Sequence, residues 1–226
     1  MKIMRLNIIV LTAMLFVQTA SASNPVAVVI RAKGKVHMVK PDKKQVPVKP
    51  GTRINSGSKI ITKTKSFAAI KFIDDGSLVR VRQNSSCTVE GKKEENSFLK
   101  NIFLEVGTIF SKITRQKGSF RVTTPTSVAS VKGTAFWSIQ KFKGATTYFG
   151  EEGIVEIENK KGVARLGAGE TGIVASKNSK PIVRRTRPGE KPVLDEEKSD
   201  VNEFEFEFNK DDGQKKRLRF KIKTKK

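Results

Sequence analysis

Residues 120–136, FRVTTPTSVASVKGTAF, hold more of the signals that decide the fold than any other stretch of this chain. Apolar and polar residues alternate up to Pro125, which has no backbone N–H for a sheet and is expected at a strand edge or corner. Residues 128–132 predict a second strand, and Gly133 ends it because glycine accepts a positive φ. The alternation resumes at Phe136. This sequence of strand, corner, strand and turn indicates a β fold, and it contains no paired carboxylates or metal ligands.

The same period of two runs through the rest of the body. Residues 67–82, FAAIKFIDDGSLVRVR, predict a hairpin that turns at Asp75-Gly76. Strands of about four to six residues recur at intervals of about eight to twelve, which is typical of an all-β sandwich, barrel or solenoid. A loose echo between GTRI at 51–54 and GTIF at 107–110 favours the stacked turns of a solenoid. We therefore expect Gly133→Val to destabilise the whole body.

Residues 1–22 have the layout of a cleavable secretory signal. Lys2 and Arg5 precede an apolar run, and Ala20-Ser21-Ala22 provides an A-x-A cleavage site. The apolar run is too short for a comfortable membrane span, so we expect an exported protein without a transmembrane span after cleavage; a retained N-terminal anchor is the alternative. The only cysteine, Cys87, is interpreted as a buried apolar residue rather than a redox-active thiol.

The chain is strongly basic, with 45 Lys and Arg against 22 Asp and Glu and a formal net charge of +23. A charge of this sign attracts polyanions. Nucleic acid would be the obvious partner in the cytoplasm, but an exported protein meets lipopolysaccharide, wall polymers and membrane surface instead, so no nucleic-acid partner is predicted. The alternative, that solvated strand faces are basic without a binding role, stays open.

Residues 176–202 predict a basic linker rich in proline and lysine, either extended or disordered. Its basic run supplies three candidate contacts for a polyanion, Arg184, Arg185 and Arg187. Three further candidates, Lys215, Lys216 and Arg217, lie in the tail that follows.

That tail, residues 203–226, predicts an amphipathic β-hairpin. Phe204, Phe206 and Phe208 alternate with glutamates, and an odd-numbered loop places Phe206 opposite Leu218. A lone two-stranded hairpin is marginally stable in water. We therefore expect it to dock on the body or to bind a partner through these three phenylalanines; Phe206→Asp should lower the melting temperature in the first case.

Little in the sequence points to catalysis. His37 is the only histidine, which rules out a multi-histidine metal site. The acidic pairs Asp74-Asp75, Glu94-Glu95, Glu151-Glu152 and Asp211-Asp212 all flank predicted turns, where such residues are common. The chain has 14 Phe but one Trp and one Tyr, a composition that disfavours stacking on sugars. No catalytic residue, cofactor or metal ligand is predicted.

Residues 26–174 resemble the FecR domain, named for the periplasmic part of iron-uptake sigma regulators. The segments that carry the resemblance are GTRINSGSKIIT at 51–62, FIDDGSL at 72–78 and VASVKGTAF at 128–136. Lys132 stands where arginine is usual in the family. The resemblance implies an all-β, solenoid-like or roll-like exported domain, here residues 23–175, that scaffolds or signals by protein contact without catalysis.

In the sigma regulators the domain follows a cytosolic segment and a membrane span, whereas a cleavable signal is predicted here. Signalling across a membrane to a sigma factor is therefore not carried over, and iron is not implied. The sequence predicts an interaction or scaffold module in the periplasm or at the cell surface, with an unidentified envelope protein as partner. Electrostatic binding of lipopolysaccharide or wall polymer is the alternative, and an enzyme using acidic turn residues is a third.

Overall fold

The computed structural model describes residues 25–95, 97–114 and 118–193, and the backbone of 203–209 and 215–221. All regular structure in these residues is β, as the sequence predicts, and none of them belongs to a helix that could span a membrane. The predicted signal segment, residues 1–22, lies outside the described residues.

In chain order the strands are β1 (Pro25–Lys33), β2 (Val36–Val39), β3 (Gln45–Pro47), β4 (Arg53–Asn55), β5 (Ser58–Thr62), β6 (Phe67–Phe72), β7 (Leu78–Val81), β8 (Ser85–Lys93), β9 (Phe98–Lys112), β10 (Gly118–Thr123), β11 (Val128–Val131), β12 (Ala135–Gln140), β13 (Thr146–Glu152), β14 (Val155–Asn159), β15 (Gly162–Leu166), β16 (Glu170–Val174), β17 (Ile182–Arg185), β18 (Glu203–Asn209) and β19 (Lys215–Lys221).

The strands of the body form two sheets that share β9. Sheet I has the spatial order β4-β1-β6-β7-β9-β12-β13-β16-β17. Sheet II has the order β3-β2-β5-β8-β9-β10-β11-β14-β15. Neighbouring strands in these orders are antiparallel except for β9 and β10, and neither sheet closes on itself.

β9 crosses from one sheet to the other at Gly107. Its first part pairs with β8 and β10 in sheet II, and residues 107–112 pair with β12 in sheet I. Gly107 has a φ of +107°, and a Cβ at this position would collide with Ser85. Only glycine therefore allows the bend that lets one strand serve both sheets.

From β10 onward, successive hairpins alternate between the sheets: β10–β11 in sheet II, β12–β13 in sheet I, β14–β15 in sheet II and β16–β17 in sheet I. The predicted corner at Pro125 connects β10 to β11, and the predicted turn at Gly133, with a φ of +66°, carries the chain from β11 to β12. Pro125 and Gly133, the two turn residues of the stretch 120–136, thus change the direction of the chain.

The core lies between the sheets and takes alternate residues from both. Ile70 and Phe136 of sheet I and Leu104 and Val122 of sheet II are fully buried in one continuous cluster. Cys87 belongs to this cluster, where burial raises the pKa of its thiol to about 12.

The stretch predicted as a linker begins with an ordered part. β17 pairs with β16 and forms an edge of sheet I, and the chain is then described to residue 193. In the tail, the backbones of β18 and β19 pair with Phe206 opposite Leu218 and Glu205 opposite Arg219.

Candidate interaction surface

A row of side chains crosses the outer face of sheet I. Directly paired residues of neighbouring strands point to the same side of a sheet, so the strand register defines the row. From one side of the sheet to the other it contains Arg31, Ala69, Arg80, Phe110, Trp137, Phe149, Thr171 and Arg184. The chain neighbours Ile109, Phe136 and Tyr148 point inward and belong to the core.

The centre of the row, Phe110, Trp137 and Phe149, forms a second apolar group that is separate from the core. We call these three residues the aromatic cluster. The ring centroids of Phe110 and Trp137 are 5.0 Å apart, with planes inclined by 51°. Although the cluster lies on an outer face, its members are 6%, 1% and 2% exposed, so another part of the chain must cover it.

Residues 186–193, which we call the strap, lie beside the cluster. It leaves β17 and crosses sheet I towards β7. Its polar contacts mark the path: Thr186 Oγ1 lies 2.9 Å from Thr171 Oγ1 on β16, Lys191 Nζ lies 2.8 Å from Glu151 Oε2 on β13, and Arg82 Nη1, just beyond β7, donates to the Val193 carbonyl at 2.5 Å. Between the last two contacts lies Pro192, which is half-buried.

Trp137 takes part in both of the strap's later anchor points. Its Nε1 donates to Glu151 Oε1 at 3.0 Å, and the other oxygen of the same carboxylate binds Lys191. The Arg82 guanidinium lies 5.8 Å from the centroid of the indole ring and also holds the carbonyl of Val193. The strap and the tryptophan are therefore fixed by the same two side chains.

An ion pair of Arg184 with Glu190 stabilises the start of the strap. Arg184 Nη1 donates to Glu190 Oε2 at 2.9 Å, and Arg184 Nη2 binds the other carboxylate oxygen. The hydrogen bond from Arg184, followed by one from the backbone N–H of Arg187, lowers the pKa of Glu190 to about 2. Of the polyanion contacts predicted in this stretch, Arg184 is thus occupied within the chain, while Arg185 and Arg187 are exposed.

The other predicted contacts lie in the tail. Lys215, Lys216 and Arg217 belong to β19, and Phe204, Phe206 and Phe208 belong to β18. The side chains of both strands are outside the described part of the chain.

Sheet I is strongly cationic on the side that the strap meets at Val193, where Arg82 binds the backbone carbonyl. The basic residues on or beside the outward positions of β4, β1, β6, β7 and the end of β9 are Arg53, Arg31, Lys71, Arg80, Arg82 and Lys112. We call them the basic half. The strands β4, β1, β6 and β7 and residues 107–112 contain no Asp or Glu. Burial lowers the pKa of Lys71, as expected where an ammonium group loses hydration.

Of the acidic turn pairs, Asp74-Asp75 has a structural role, because both carboxylates bind a buried lysine. Lys100 Nζ, from a side chain with no exposed surface, lies 2.5 Å from Asp74 Oδ2 and 2.8 Å from Asp75 Oδ2. Burial raises the pKa of Asp74; at Asp75 burial acts in the same sense but the hydrogen bonds from Lys100 and Ser77 outweigh it, so its pKa is lowered. Both carboxylates therefore neutralise a buried lysine.

The opening stretch contributes a buried hydroxyl network. Thr124 Oγ1 lies 3.0 Å from Thr146 Oγ1, and Ser127 Oγ lies 2.9 Å from the hydroxyl of Tyr148. Burial raises the pKa of Tyr148 to about 12. Such hydrogen-bonded networks fix the packing of neighbouring hairpins. The role of this stretch is therefore structural.

Sheet II has an open groove of about 470 Å³ on its outer face. Three of its polar lining residues bind one another: Asn101 Nδ2 donates to Glu90 Oε2 at 2.8 Å, and Thr123 Oγ1 donates to Asn101 Oδ1 at 2.8 Å. Among the described residues, no three His, Cys, Asp or Glu side chains come together as a metal site would require.

Residues 58–156 match the family model described as FecR protein. The match runs from β5 into β14, includes the aromatic cluster and ends before the strap. It confirms the FecR-domain resemblance for this part of the chain. No curated protein matches the sequence.

Two solved structures of a candidate anti-sigma factor from Parabacteroides distasonis ATCC 8503 are similar to the chain. The crystal structure at 1.65 Å resolution is 18% identical with a TM-score of 0.49, and the one at 2.50 Å is 20% identical with a TM-score of 0.48. Each alignment covers 56% of this chain and 59% of the other, less than two thirds of that protein's length.

Proposed function

With a FecR domain at residues 58–156 as the premise, we propose that this protein is a non-enzymatic, exported interaction or scaffold module of the cell envelope. Its body is a roll of alternating hairpins related to a β-solenoid, it needs no cofactor, and it binds an envelope protein through the outer face of sheet I. The observation that carries the proposal is the aromatic cluster, which is buried although it lies on the outer face of sheet I, with the strap anchored at its edge.

A surface that binds its own strap has the chemistry to bind a similar segment of another protein. Aromatic side chains provide most of the binding energy of such sites, and Glu151 and Arg82 provide directional contacts to a lysine and to a backbone carbonyl. The strap's ion pairs are partly exposed, and water and salt screen such pairs so that each contributes little to stability. The strap is therefore replaceable by a partner segment that fits the same contacts.

The test compares two proline variants of the full-length protein in pull-down from an envelope fraction. Pro192→Asp places a charge in the half-buried part of the strap and should loosen it, so it should recover more of a specific partner than the unmodified chain. Pro125→Asp is the matched control, because Pro125 is an exposed corner residue between β10 and β11. Equal recovery by all three proteins, or recovery that survives Trp137→Ala, would contradict the proposed surface.

Export is the second part of the proposal and rests on the sequence of residues 1–22. The mature protein isolated from the envelope or the medium should begin at Ser23, which N-terminal sequencing or intact mass would establish. A protein that keeps residues 1–22 would instead be anchored or not exported.

The alternative function is electrostatic binding of an anionic envelope polymer. The basic half of sheet I supports it, because five neighbouring strand segments carry cations and no acid; Arg185, Arg187, Lys215, Lys216 and Arg217 would add to the field. Charge contacts at the surface are screened by salt. Binding to purified lipopolysaccharide should weaken strongly between low and high ionic strength, and binding that ignores salt would exclude this function.

A further inference from the structure

Lys100, near the start of β9, has its amine between the two carboxylates of the β6–β7 turn, an arrangement suited to covalent chemistry. We propose that Lys100 forms an isopeptide bond with Asp74 in the folded protein, with Asp75 as the proton acceptor. The bond is an amide between Lys100 Nζ and Asp74 Cγ, made by the loss of one water. It is a modification of the chain by itself and is independent of the interaction surface on sheet I.

The three reacting groups are in contact and sheltered from solvent. Lys100 Nζ lies 2.5 Å from Asp74 Oδ2 and 2.8 Å from Asp75 Oδ2. The side chains of Lys100, Asp74 and Asp75 are 0%, 20% and 5% exposed, so water competes little for the amine. An amine that the fold holds beside a carboxyl carbon reacts in an effectively unimolecular step, without the entropy cost of bringing the groups together.

Aromatic rings surround the amine. Lys100 Nζ lies 5.7 Å from the centroid of the Phe72 ring and 5.8 Å from that of the Phe98 ring. Buried sites of this kind favour neutral groups over charged ones. A neutral amide in place of an ammonium and a carboxylate removes the desolvation cost of a buried ion pair. The surroundings therefore favour the bond over the hydrolysed form.

The environments of the two carboxyl groups give them different roles. Burial raises the pKa of Asp74, which favours the protonated acid, the form of a carboxyl group that an amine can attack. At Asp75 burial acts in the same sense, but hydrogen bonds from Lys100 and Ser77 outweigh it and lower the pKa, so this group stays ionised. Two carboxyl groups whose pKa values are pushed apart can serve as acid and base at one site.

Hydrogen bonds also hold Asp75 in position for this role. The backbone N–H of Ser77 donates to Asp75 Oδ1 at 2.8 Å, and Thr114 Oγ1 donates to Asp75 Oδ2 at 3.1 Å. Asp75 Oδ2 is the same atom that contacts Lys100 Nζ. The carboxylate is thus fixed with one oxygen against the amine, within reach for proton transfer.

The reaction balances within these three side chains. Asp75 takes one proton from the Lys100 ammonium, and the free amine attacks Cγ of the protonated Asp74. The C–N bond forms, the Cγ–OH bond breaks, and the hydroxyl leaves as water with a second proton from the nitrogen. The third proton stays on the amide. The products are a neutral amide, one water and a protonated Asp75, and no other reactant is needed.

The bond joins the two sheets. It connects the turn of the β6–β7 hairpin in sheet I to the part of β9 that pairs with β8 and β10 in sheet II. A covalent link of this kind restricts the unfolded chain as a disulfide does. The single cysteine, Cys87, excludes a disulfide within the chain, so an isopeptide bond supplies a cross-link that the sequence otherwise lacks.

The ion pair of Lys59 with Glu105 is a natural comparison, because Lys59 Nζ also lies 2.5 Å from a carboxylate oxygen. These two side chains are 36% and 33% exposed. Water therefore stabilises the ammonium and the carboxylate as ions, and we expect no bond there. Burial, and not the distance alone, distinguishes Lys100.

Peptide mass spectrometry of the purified full-length protein, unfolded and digested with trypsin, tests the bond. An amide on Lys100 blocks cleavage at that residue, so residues 72–80 and 94–112 should be recovered as one branched peptide, lighter by one water than the two separate peptides. Trypsin should cut normally after Lys59. Recovery of free 72–80 together with complete cleavage after Lys100 would overturn the proposal, and a second link between Lys59 and Glu105 would contradict the role of burial.

The variant Asp75→Asn tests the proton acceptor. The amide keeps the shape of the side chain but removes the base, so the branched peptide should fall about ten-fold or more, and Asp75→Glu, which restores a carboxylate, should recover part of it. Glu105→Gln makes the same kind of change in the exposed pair and should leave the branched peptide unchanged. Circular dichroism of each variant checks that the β structure is kept. Undiminished linkage in folded Asp75→Asn would overturn the assignment of Asp75 as the base.

Discussion

The outer faces of the two sheets differ in how their charged and aromatic side chains find partners. On sheet II, Lys59 lies 2.5 Å from Glu105 and Arg165 lies 2.9 Å from Glu156, so strands of the same sheet supply both partners. On sheet I the centre is aromatic, and the strands on one side carry cations but contain no Asp or Glu. Charges on the first face pair with one another, whereas the aromatic centre of the second is buried by another part of the chain. A partner segment can take the place of such a cover, and for this reason we propose the outer face of sheet I as the interaction surface.

The largest expected effect is on the stability of the whole body and not on the outer face of either sheet. Gly107→Ala introduces a Cβ that collides with Ser85 and a side chain at a φ of +107°, and the bend of β9 serves both sheets. We expect a loss of several kcal/mol in the free energy of unfolding, as for a strained and overpacked site, measured by urea denaturation.

The control for this variant is Gly167→Ala. An added Cβ there meets nothing closer than Glu170 Oε2 at 3.6 Å, and the φ is not in the left-handed region. Equal stability of the two variants would mean that the backbone of β9 can rearrange around Gly107. The bend would then not be required to hold the two sheets together.

A smaller effect compares the core with the aromatic cluster. Phe136 is buried between the sheets, whereas Phe149 belongs to the aromatic cluster on the outer face of sheet I, beside the strap. Phe136→Ala should cost about 3–5 kcal/mol in unfolding free energy, the range for a core phenylalanine. Phe149→Ala should cost less, because the strap can settle onto the smaller side chain, but it should increase acrylamide quenching of Trp137. If Phe149→Ala proved as costly as Phe136→Ala, the cluster would be part of the core and not an exchangeable surface.

The sequence predicts the strands and corners of this fold well, because these depend on local signals. The hairpin of β6 and β7 turns at Asp75-Gly76 as the alternation indicates, and Gly133 has the positive φ expected of it. The match at residues 58–156 confirms the resemblance seen in VASVKGTAF. The echo between residues 51–54 and 107–110, by contrast, falls on β4 and β9, which are not neighbours in sheet I.

The candidate surface could not be predicted in the same way. Phe110, Trp137 and Phe149 come from three strands, and only the register places them in one row. Alternation alone gives each strand an inner and an outer face, but Phe136 and Trp137 are adjacent in sequence and both are buried, so the pattern does not tell which one faces the core. The composition of residues 186–193, rich in proline and charge, indicates an extended segment and gives no sign of what it covers. One signal was available: the single tryptophan lies beside the most distinctive motif.

The smallest expected effect tests how the strap is held at its start. Arg184 lowers the pKa of Glu190 to about 2, against an ordinary value of 4.5. A carboxylate with a lowered pKa in the folded state stabilises the fold fully above its unfolded pKa, and this contribution disappears as the pH falls through the folded value. The unmodified protein and Glu190→Gln should therefore differ by a constant small amount in Trp137 quenching above about pH 4.5, and the difference should vanish as the pH approaches 2. Arg185→Gln is the matched control, since Arg185 is exposed and its side chain is not among the groups that lower the pKa of Glu190. A difference that persists unchanged at pH 2 would place the effect of Glu190 outside its ion pair with Arg184, and the strap would then depend on Lys191 and Arg82 alone for its charged contacts with sheet I.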